Sequence, residues 1–159
     1  MSLSPTQTSA AARSLLEAEK TGRQIGLLSL AHPDMTMDDA YAVQAELMRL
    51  KIAQGRSIIG WKIGLTSKAM QYALGISTPD SGVLFDDMAF DDGATVSEGR
   101  FIQPRIEAEI AFVMKAPLAG DGITREDVIA ATDFVAPALE ILDTRILRID
   151  PVTKEPRTI

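Results

Sequence analysis

Two glutamates, Glu107 and Glu109, have the residue type and spacing that most clearly suggest chemistry in this sequence. The residues around them, 103–114, alternate between apolar and other side chains in a way that is typical of a β-strand. On a strand, both carboxylates project from one face, about 6.6 Å apart at about 3.3 Å per residue. On a helix, they would lie about 200° apart. Because two such close carboxylates repel each other, the spacing predicts either a divalent cation beside them or a solvent-exposed face.

The opposite face of this strand is continuously apolar, and we expect the strand to be half-buried; that face is formed by Ile106, Ala108, Ile110, Phe112 and Met114. A second apolar run, 134–142, carries a single carboxylate, that of Glu140. A glutamate is almost never fully buried unless it is paired. Two pairings are open: a salt bridge with Arg145 or Arg105, or a metal ion shared with the two strand glutamates.

Lys62 lies in a short apolar segment, 57–64, which has the composition of a strand but is interrupted by Gly60 and Gly64. Glycines inside a strand indicate a bend or a close backbone approach. The ammonium of Lys62 either reaches solvent or is held beside an acidic site. The segment is not a phosphate-binding loop, because the Gly-Lys-Ser/Thr order is missing.

Asp80 lies in Pro79-Asp-Ser-Gly82, a composition that predicts a turn before a brief strand at 83–85. An aspartate in that context is usually a turn residue. The single histidine, His32, precedes a proline and should have an extended backbone. It is either an ordinary loop residue or a substrate contact.

The overall composition excludes several classes of function. The chain has 159 residues and is 46% hydrophobic, which predicts one domain with a core of its own. The absence of cysteine rules out thiolate chemistry and fits a cytoplasmic protein. A single histidine disfavours zinc sites, and the sequence lacks a Gly-x-Ser-x-Gly elbow. A net charge of −6 argues against nucleic acid or an anionic membrane as a partner. Carboxylate, lysine and metal–oxygen chemistry is what remains.

Hydrophobic periodicity and capping signals predict an α+β protein. We expect a short extended connection at 27–33 and loops around the acidic residues 86–92 and at 117–122. The first predicted helix lies within 9–26 and ends at Gly22 or Gly26. The others are a segment from a capping box at Thr36 to Gly55, the segment 68–74 capped by Ser67, and 127–131 or a little beyond.

Four segments together resemble the 2-keto-4-pentenoate hydratase / 4-oxalocrotonate decarboxylase family, which belongs to the fumarylacetoacetate hydrolase-like superfamily. They are GWKIGLTSKAMQ (60–71), PDSG (79–82), QPRIEAE (103–109) and PALE (137–140), in family order. The segments HPDMT (32–36), DTRI (143–146) and EPR (155–157) resemble the hydratases of that family that act on 2-oxo-hept-4-ene-1,7-dioate.

The resemblance implies N-terminal helices packed on a mixed, strongly curved β-sheet. It implies a helical part, 1–56, and a β-rich catalytic part, 57–159. Members of that family continue past the last residue of this chain, so we expect a C-terminal portion to be missing and the sheet to be incomplete. A homo-oligomer and association with another enzyme of the pathway are further implications.

The resemblance also implies a site, in which Mg²⁺ or Mn²⁺ is held by Glu107, Glu109 and Glu140. The family's active-site lysine falls on Lys62, and its acidic partner falls on Asp80. Substrate contacts fall on Leu65, Thr66, Ser67 and Gln71.

The implied activity is hydration of a 2-hydroxy-2,4-dienoate or 2-oxo-4-enoate to a 4-hydroxy-2-oxo acid in aromatic catabolism. Chelation of the 2-oxo acid by the metal would stabilise an enolate. Two alternatives are decarboxylation of 4-oxalocrotonate and a role as a non-catalytic partner subunit or truncated product.

Overall fold

The computed structural model describes residues 3–155, and the last residues of the predicted tail, including Pro156, lie outside this range. Two compact units are present. One is Gln103–Asp143, and the other comprises the described residues that precede and follow it in the sequence. Helices and antiparallel strands both occur, which confirms the α+β class. The described strands form two separate two-stranded ladders, so the single curved mixed sheet stays a prediction.

The first unit begins with helices α1 (Pro5–Thr21), α2 (Leu28–Ala31) and α3 (Met37–Ala53). Helix α1 starts four residues earlier than expected, because Ser4 and Gln7 form a capping box and Pro5 follows the N-cap. The predicted extended connection at 27–33 was wrong, since a short helix occupies most of it. The packing of α1 against α3 builds the core, whose buried members are Ala11, Ala12, Leu16, Val43 and Leu50.

The cap at Thr36 confirms the predicted start of α3, whereas the cap at His32 closes the unexpected helix α2. Thr36 accepts a hydrogen bond from the backbone N–H of Asp39, whose carboxylate accepts one in return from Thr36, as the capping-box pattern predicted. The N–H of His32 donates to the Leu28 carbonyl and closes α2. The backbone of His32 has φ −135° and ψ 79°, which lies outside the extended region that the following proline was expected to favour.

The first unit also contains strand β1 (Ile58–Gly64), helix α4 (Lys68–Leu74) and strand β2 (Asp80–Phe85). The strands pair antiparallel, with Lys62 opposite Gly82 and Gly64 opposite Asp80. The predicted turn at 79–82 was wrong from Asp80 onward, because this residue is the first of β2 and extends the ladder.

The second unit consists of β3 (Arg105–Met114), α5 (Arg125–Ala131) and β4 (Thr132–Leu142). The strands pair antiparallel along nearly their whole length, and α5 leads directly into β4. A hydrogen bond from the Gln103 N–H to the Asp143 carboxylate, 2.7 Å long, ties together the two ends of the unit.

The predicted burial of β3 was wrong, although its alternation was right. The apolar face of the β3–β4 ladder is exposed, with Ile106 at 68% and Leu139 at 69% of full exposure. On β4, the acidic face is half-buried at Ala136, Ala138 and Glu140, and Thr132, Ile141 and Leu142 at the ends of the strand are half-buried too. Much of the apolar character of the run 134–142 comes from side chains that are exposed in this structure. An apolar run therefore did not indicate a buried core strand here.

An ion cluster holds the first unit together at the side chain of Glu19. This carboxylate accepts a hydrogen bond from the ammonium of the buried Lys51 at 2.5 Å and from the guanidinium of Arg145 at 2.6 Å. Next to Arg145, the backbone of Ile25 forms a parallel bridge with Ile146. Arg145 is thus bound to Glu19, and the suggested salt bridge between Arg145 and Glu140 stays a prediction.

Burial by itself would raise the pKa of the Glu19 carboxyl, but the positive charges and hydrogen bonds of Arg145 and Lys51 together hold that pKa below its usual value of 4.5. A depressed carboxyl pKa stabilises the fold at higher pH. This stabilisation is fully present above pH 4.5 and is lost as the pH falls through the lower pKa of the folded state.

Among the described residues, no helix combines the length and the hydrophobicity that crossing a bilayer requires.

We predict that Glu19→Gln destabilises the fold at pH 7, because the ammonium of Lys51 stays buried without its carboxylate. The cost should be about 3 kcal/mol, the lower end of the range for a broken buried ion pair, since Arg145 is partly exposed. Chemical unfolding at pH 7 and at pH 3 measures the difference in the free energy of unfolding between the variant and the wild type. This difference should be smaller at pH 3. A difference that is independent of pH would contradict the assigned charge interaction.

Candidate functional site

The β3–β4 ladder brings three carboxylates together on one face. Glu107 lies directly opposite Glu140, and Glu109 lies two residues further along β3 on the same face. One carboxylate oxygen from each residue lies within 4.8 Å of the corresponding oxygens of the other two. Glu107 and Glu109 are exposed, whereas Glu140 is half-buried. The strand pairing alone therefore produces the cluster, without any contribution from a loop.

The chemistry of this donor set fits a hard divalent cation. Like charges directly opposite each other on paired strands destabilise a sheet, so three carboxylates at this distance gain from a positive charge between them. Mg²⁺ and Ca²⁺ prefer oxygen ligands, and Mg²⁺ commonly combines a few carboxylates with water or substrate oxygens. Exposed acidic groups also occur without an ion. The residues fit a magnesium site, and the test below decides whether one forms.

Small residues continue the acidic face beyond the carboxylates. Ala138 lies opposite Glu109, and the next pair on this face is Ala111 with Ala136. Methyl side chains leave the carboxylates as the groups that extend furthest from this part of the face.

The second group of predicted site residues, Lys62 and Asp80, comes together in the β1–β2 ladder. Both side chains project from the same face of the ladder, at diagonal positions. Both residues are half-buried. The Oδ1 atom of Asp80 is buried and has no hydrogen-bond partner within residues 3–155. A buried carboxylate oxygen without a donor is costly and often marks a functional position.

The four predicted substrate contacts lie on the loop between β1 and α4 and in α4 itself, and two of them have structural hydrogen bonds. The Ser67 hydroxyl caps α4 by accepting from the N–H of Met70. The buried Gln71 donates from Nε2 to the Leu65 carbonyl at 2.7 Å, and Lys68 donates to its Oε1 at 3.0 Å. Thr66 is exposed between them.

Sequence reasoning did not identify the backbone of Leu65 as unusual. Its φ is +54°, in the left-handed region that a branched, bulky residue rarely adopts. The hydrogen bond from Gln71 to the Leu65 carbonyl holds this conformation, so that Gln71 shapes the loop from within. No local sequence signal marks such a residue, because leucine does not favour positive φ.

Comparisons with known proteins show that the chain is similar to hydratases of 2-oxo acids. The chain is 55% identical over 148 residues to the 2-oxo-hept-4-ene-1,7-dioate hydratase of Escherichia coli, covering 93% of this chain and 55% of that protein. It is 44% identical over 144 residues to the 2-keto-4-pentenoate hydratase of Paraburkholderia xenovorans (strain LB400), covering 91% and 54%. No family model matches the chain.

A solved structure agrees with this result. The 4-oxalocrotonate decarboxylase from Pseudomonas putida G7, complexed with magnesium and adipate, superposes with a TM-score of 0.86 at 43% identity, covering 91% of this chain and 55% of that one. The chain belongs to the 2-keto-4-pentenoate hydratase / 4-oxalocrotonate decarboxylase family. It spans about half the length of the curated relatives that it matches. A second structure of that decarboxylase is complexed with calcium and acetate.

We predict that the carboxylate cluster of this family member responds to a divalent ion in unfolding experiments. In buffer containing a chelator, Glu107→Gln should leave stability unchanged or raise it by about 0.2–1 kcal/mol, because it removes one like charge from a cross-strand pair. On addition of Mg²⁺, the wild type should gain thermal stability and the variant should gain much less, since only the intact cluster binds the ion tightly.

Glu98→Gln serves as the matched control, because Glu98 is an exposed carboxylate in the loop before β3 and lies outside the cluster. This variant should respond to Mg²⁺ as the wild type does. An equal Mg²⁺-induced shift in the wild type and Glu107→Gln would contradict a metal site at these glutamates.

Proposed function

We propose that this chain supplies the metal-binding and acid–base residues of a divalent-metal-dependent hydratase. The reaction adds water to a 2-hydroxy-2,4-dienoate or 2-oxo-4-enoate and gives a 4-hydroxy-2-oxo acid. The convergence of three glutamate carboxylates on one face of β3–β4 is the observation that carries this proposal. Its further support is that relatives with 44–55% identity are named as hydratases of such substrates.

Glu107, Glu109 and Glu140 are the proposed ligands of Mg²⁺ or Mn²⁺. Three carboxylates exceed the charge of one divalent ion by one, so the site would retain a net negative charge. When bound, such an ion polarises the keto and carboxylate oxygens of a 2-oxo acid and favours the enolate form. Because the acid substrate brings more negative charge, the reaction also needs a cation from the protein.

Lys62 and Asp80 are proposed to move protons. Hydration of a dienoate requires a group that delivers a proton to a substrate carbon and a group that accepts one from the attacking water. Lys62 has donor hydrogens and a positive charge for an anionic substrate, whereas the carboxylate of Asp80 is an acceptor. Their positions on one face of the β1–β2 ladder let these two groups exchange a proton with each other or with a shared water.

Leu65, Thr66, Ser67 and Gln71 are proposed to form the substrate-contacting loop. Their hydrogen bonds indicate two different roles. Ser67 and Gln71 hold the loop and the start of α4, while Leu65 and Thr66 are the residues that the loop presents. A loop that is fixed in this way limits the entropy lost when a ligand binds.

We propose 2-oxo-hept-4-ene-1,7-dioate as the substrate, on the basis of the 55% identity to the Escherichia coli enzyme of that name. Decarboxylation of 4-oxalocrotonate is the second candidate. It is favoured by the structural similarity to a decarboxylase and by a curated relative of that name at 44% identity. Both reactions pass through an enolate beside the same oxygen ligands, so the carboxylate cluster fits either.

Other features of the family are proposed for the whole protein. They are the curved mixed sheet of the fumarylacetoacetate hydrolase-like fold, the division into parts 1–56 and 57–159, a homo-oligomeric state with a pathway enzyme as partner, and a cytoplasmic location. The exposed apolar face of β3–β4 supports the first of these, since a larger sheet or its helices would cover such a face.

We predict that the protein carrying this chain consumes 2-oxo-hept-4-ene-1,7-dioate only in the presence of Mg²⁺ or Mn²⁺. Glu107→Gln should lower this turnover by about 10²–10³-fold, the scale on which loss of one electrostatic stabiliser acts, without unfolding the protein. Incorporation of oxygen from labelled water into the product identifies hydration, and released CO₂ identifies decarboxylation. Undiminished turnover in metal-free buffer would overturn the metal assignment, and CO₂ release from 4-oxalocrotonate without hydration would select the second candidate.

A further inference from the structure

Two glycines of the β1–β2 ladder lie opposite the proposed proton-transfer residues. Gly82 pairs with Lys62, and Gly64 pairs with Asp80, so that the four residues occupy adjacent positions on one face. Each functional side chain thus has a residue without a side chain as its cross-strand partner. In an antiparallel ladder, the Cβ atoms of directly opposite residues lie about 4.5–5.5 Å apart, so any larger partner would compete for the same space.

The space above Gly64 is occupied by both functional side chains. A Cβ atom at this position would overlap the Oδ1 atom of Asp80 and would lie 3.2 Å from its Cγ. The same Cβ would lie 3.4 Å from the Nζ atom of Lys62. The Nζ atom of Lys62 and the Oδ1 atom of Asp80 therefore both lie above the backbone of Gly64, although Oδ1 accepts no hydrogen bond from the residues that the structure describes.

The space above Gly82 is occupied by the stem of Lys62. A Cβ atom at Gly82 would lie 3.1 Å from Cγ and 3.4 Å from Cδ of this lysine. The lysine side chain thus runs across Gly82, which brings its ammonium toward Asp80 rather than away from the strand. Neither glycine has a positive φ, so space and not backbone conformation is what these positions require.

We propose that Gly64 and Gly82 are positioning residues, which form a side-chain-free cradle that brings Lys62 and Asp80 together as one proton-transfer pair. This inference rests on the proposed function for its catalytic consequence, but the cradle itself is a property of the ladder. It also places the buried Oδ1 atom of Asp80 over a glycine, which has no side chain to occupy that space.

A double-mutant cycle in thermal unfolding tests the cradle without any need for activity. Gly64→Ala should lower Tm by roughly 4–8 °C, because an overpacked contact forces Asp80 to move. In the background of Asp80→Ala, which removes the overlapping atoms, the same change should lower Tm by less than half as much. Equal losses in both backgrounds would overturn the cradle.

Gly60→Ala is the matched control for an added methyl group on β1. Gly60 lies on the same face of the same strand, and a Cβ atom there would meet only Leu84 Cδ1, at the ordinary distance of 3.9 Å. This variant should keep its Tm or raise it slightly, since alanine has less conformational freedom to lose than glycine. A loss as large as that of Gly64→Ala would show that the cost does not come from overlap with Asp80, and would also overturn the proposal.

Turnover tests the consequence for proton transfer. Gly82→Ala should displace the stem of Lys62 and lower kcat by about 10-fold or more with little change in KM, since a misplacement of about 1 Å can cost 10²-fold. In the background of Lys62→Met, it should lower residual turnover no further, because residues that act as a unit are not additive. A normal kcat for Gly82→Ala would overturn the positioning role. If the wild type has no turnover, the proposed function fails, whereas the unfolding cycle still decides the cradle.

Discussion

Repulsion among three carboxylates is the physical constraint on which the candidate metal site depends. Antiparallel pairing places Glu107 opposite Glu140 and Glu109 beside them, an arrangement that costs free energy in the absence of a compensating charge. A sequence selected for stability alone would not keep three acids at this spacing. A divalent ion would turn the same repulsion into a ligand set.

The two ladders use strand pairing in different ways. In β3–β4, the register gathers like charges on one face. In β1–β2, the register pairs a lysine and an aspartate with glycines, so that two side chains of opposite charge share one face. The ion cluster of Glu19 with Lys51 and Arg145 is different in kind, because its charges compensate one another and fasten the fold.

Local features were predictable from the sequence, and long-range features were not. The capping box at Thr36 and the bounds of α4 between Ser67 and Gly75 follow from side chains within a few residues of each helix end. The pairing of Glu107 with Glu140 joins residues far apart in the chain and has no local signal, so alternation showed only that Glu107 and Glu109 share a face. Asp80 was misread because strand pairing overrode a turn-like composition.

The central claim is that the three glutamates bind one divalent ion. Titration of the purified chain with Mn²⁺, followed by electron paramagnetic resonance, tests it most directly, since free and bound Mn²⁺ give different signals. The account predicts one tightly bound ion per chain, displaced by Mg²⁺, and its loss in Glu140→Gln, in which the half-buried member of the cluster no longer carries charge. Binding of the same affinity in Glu140→Gln, or no saturable binding by the wild type, would contradict it.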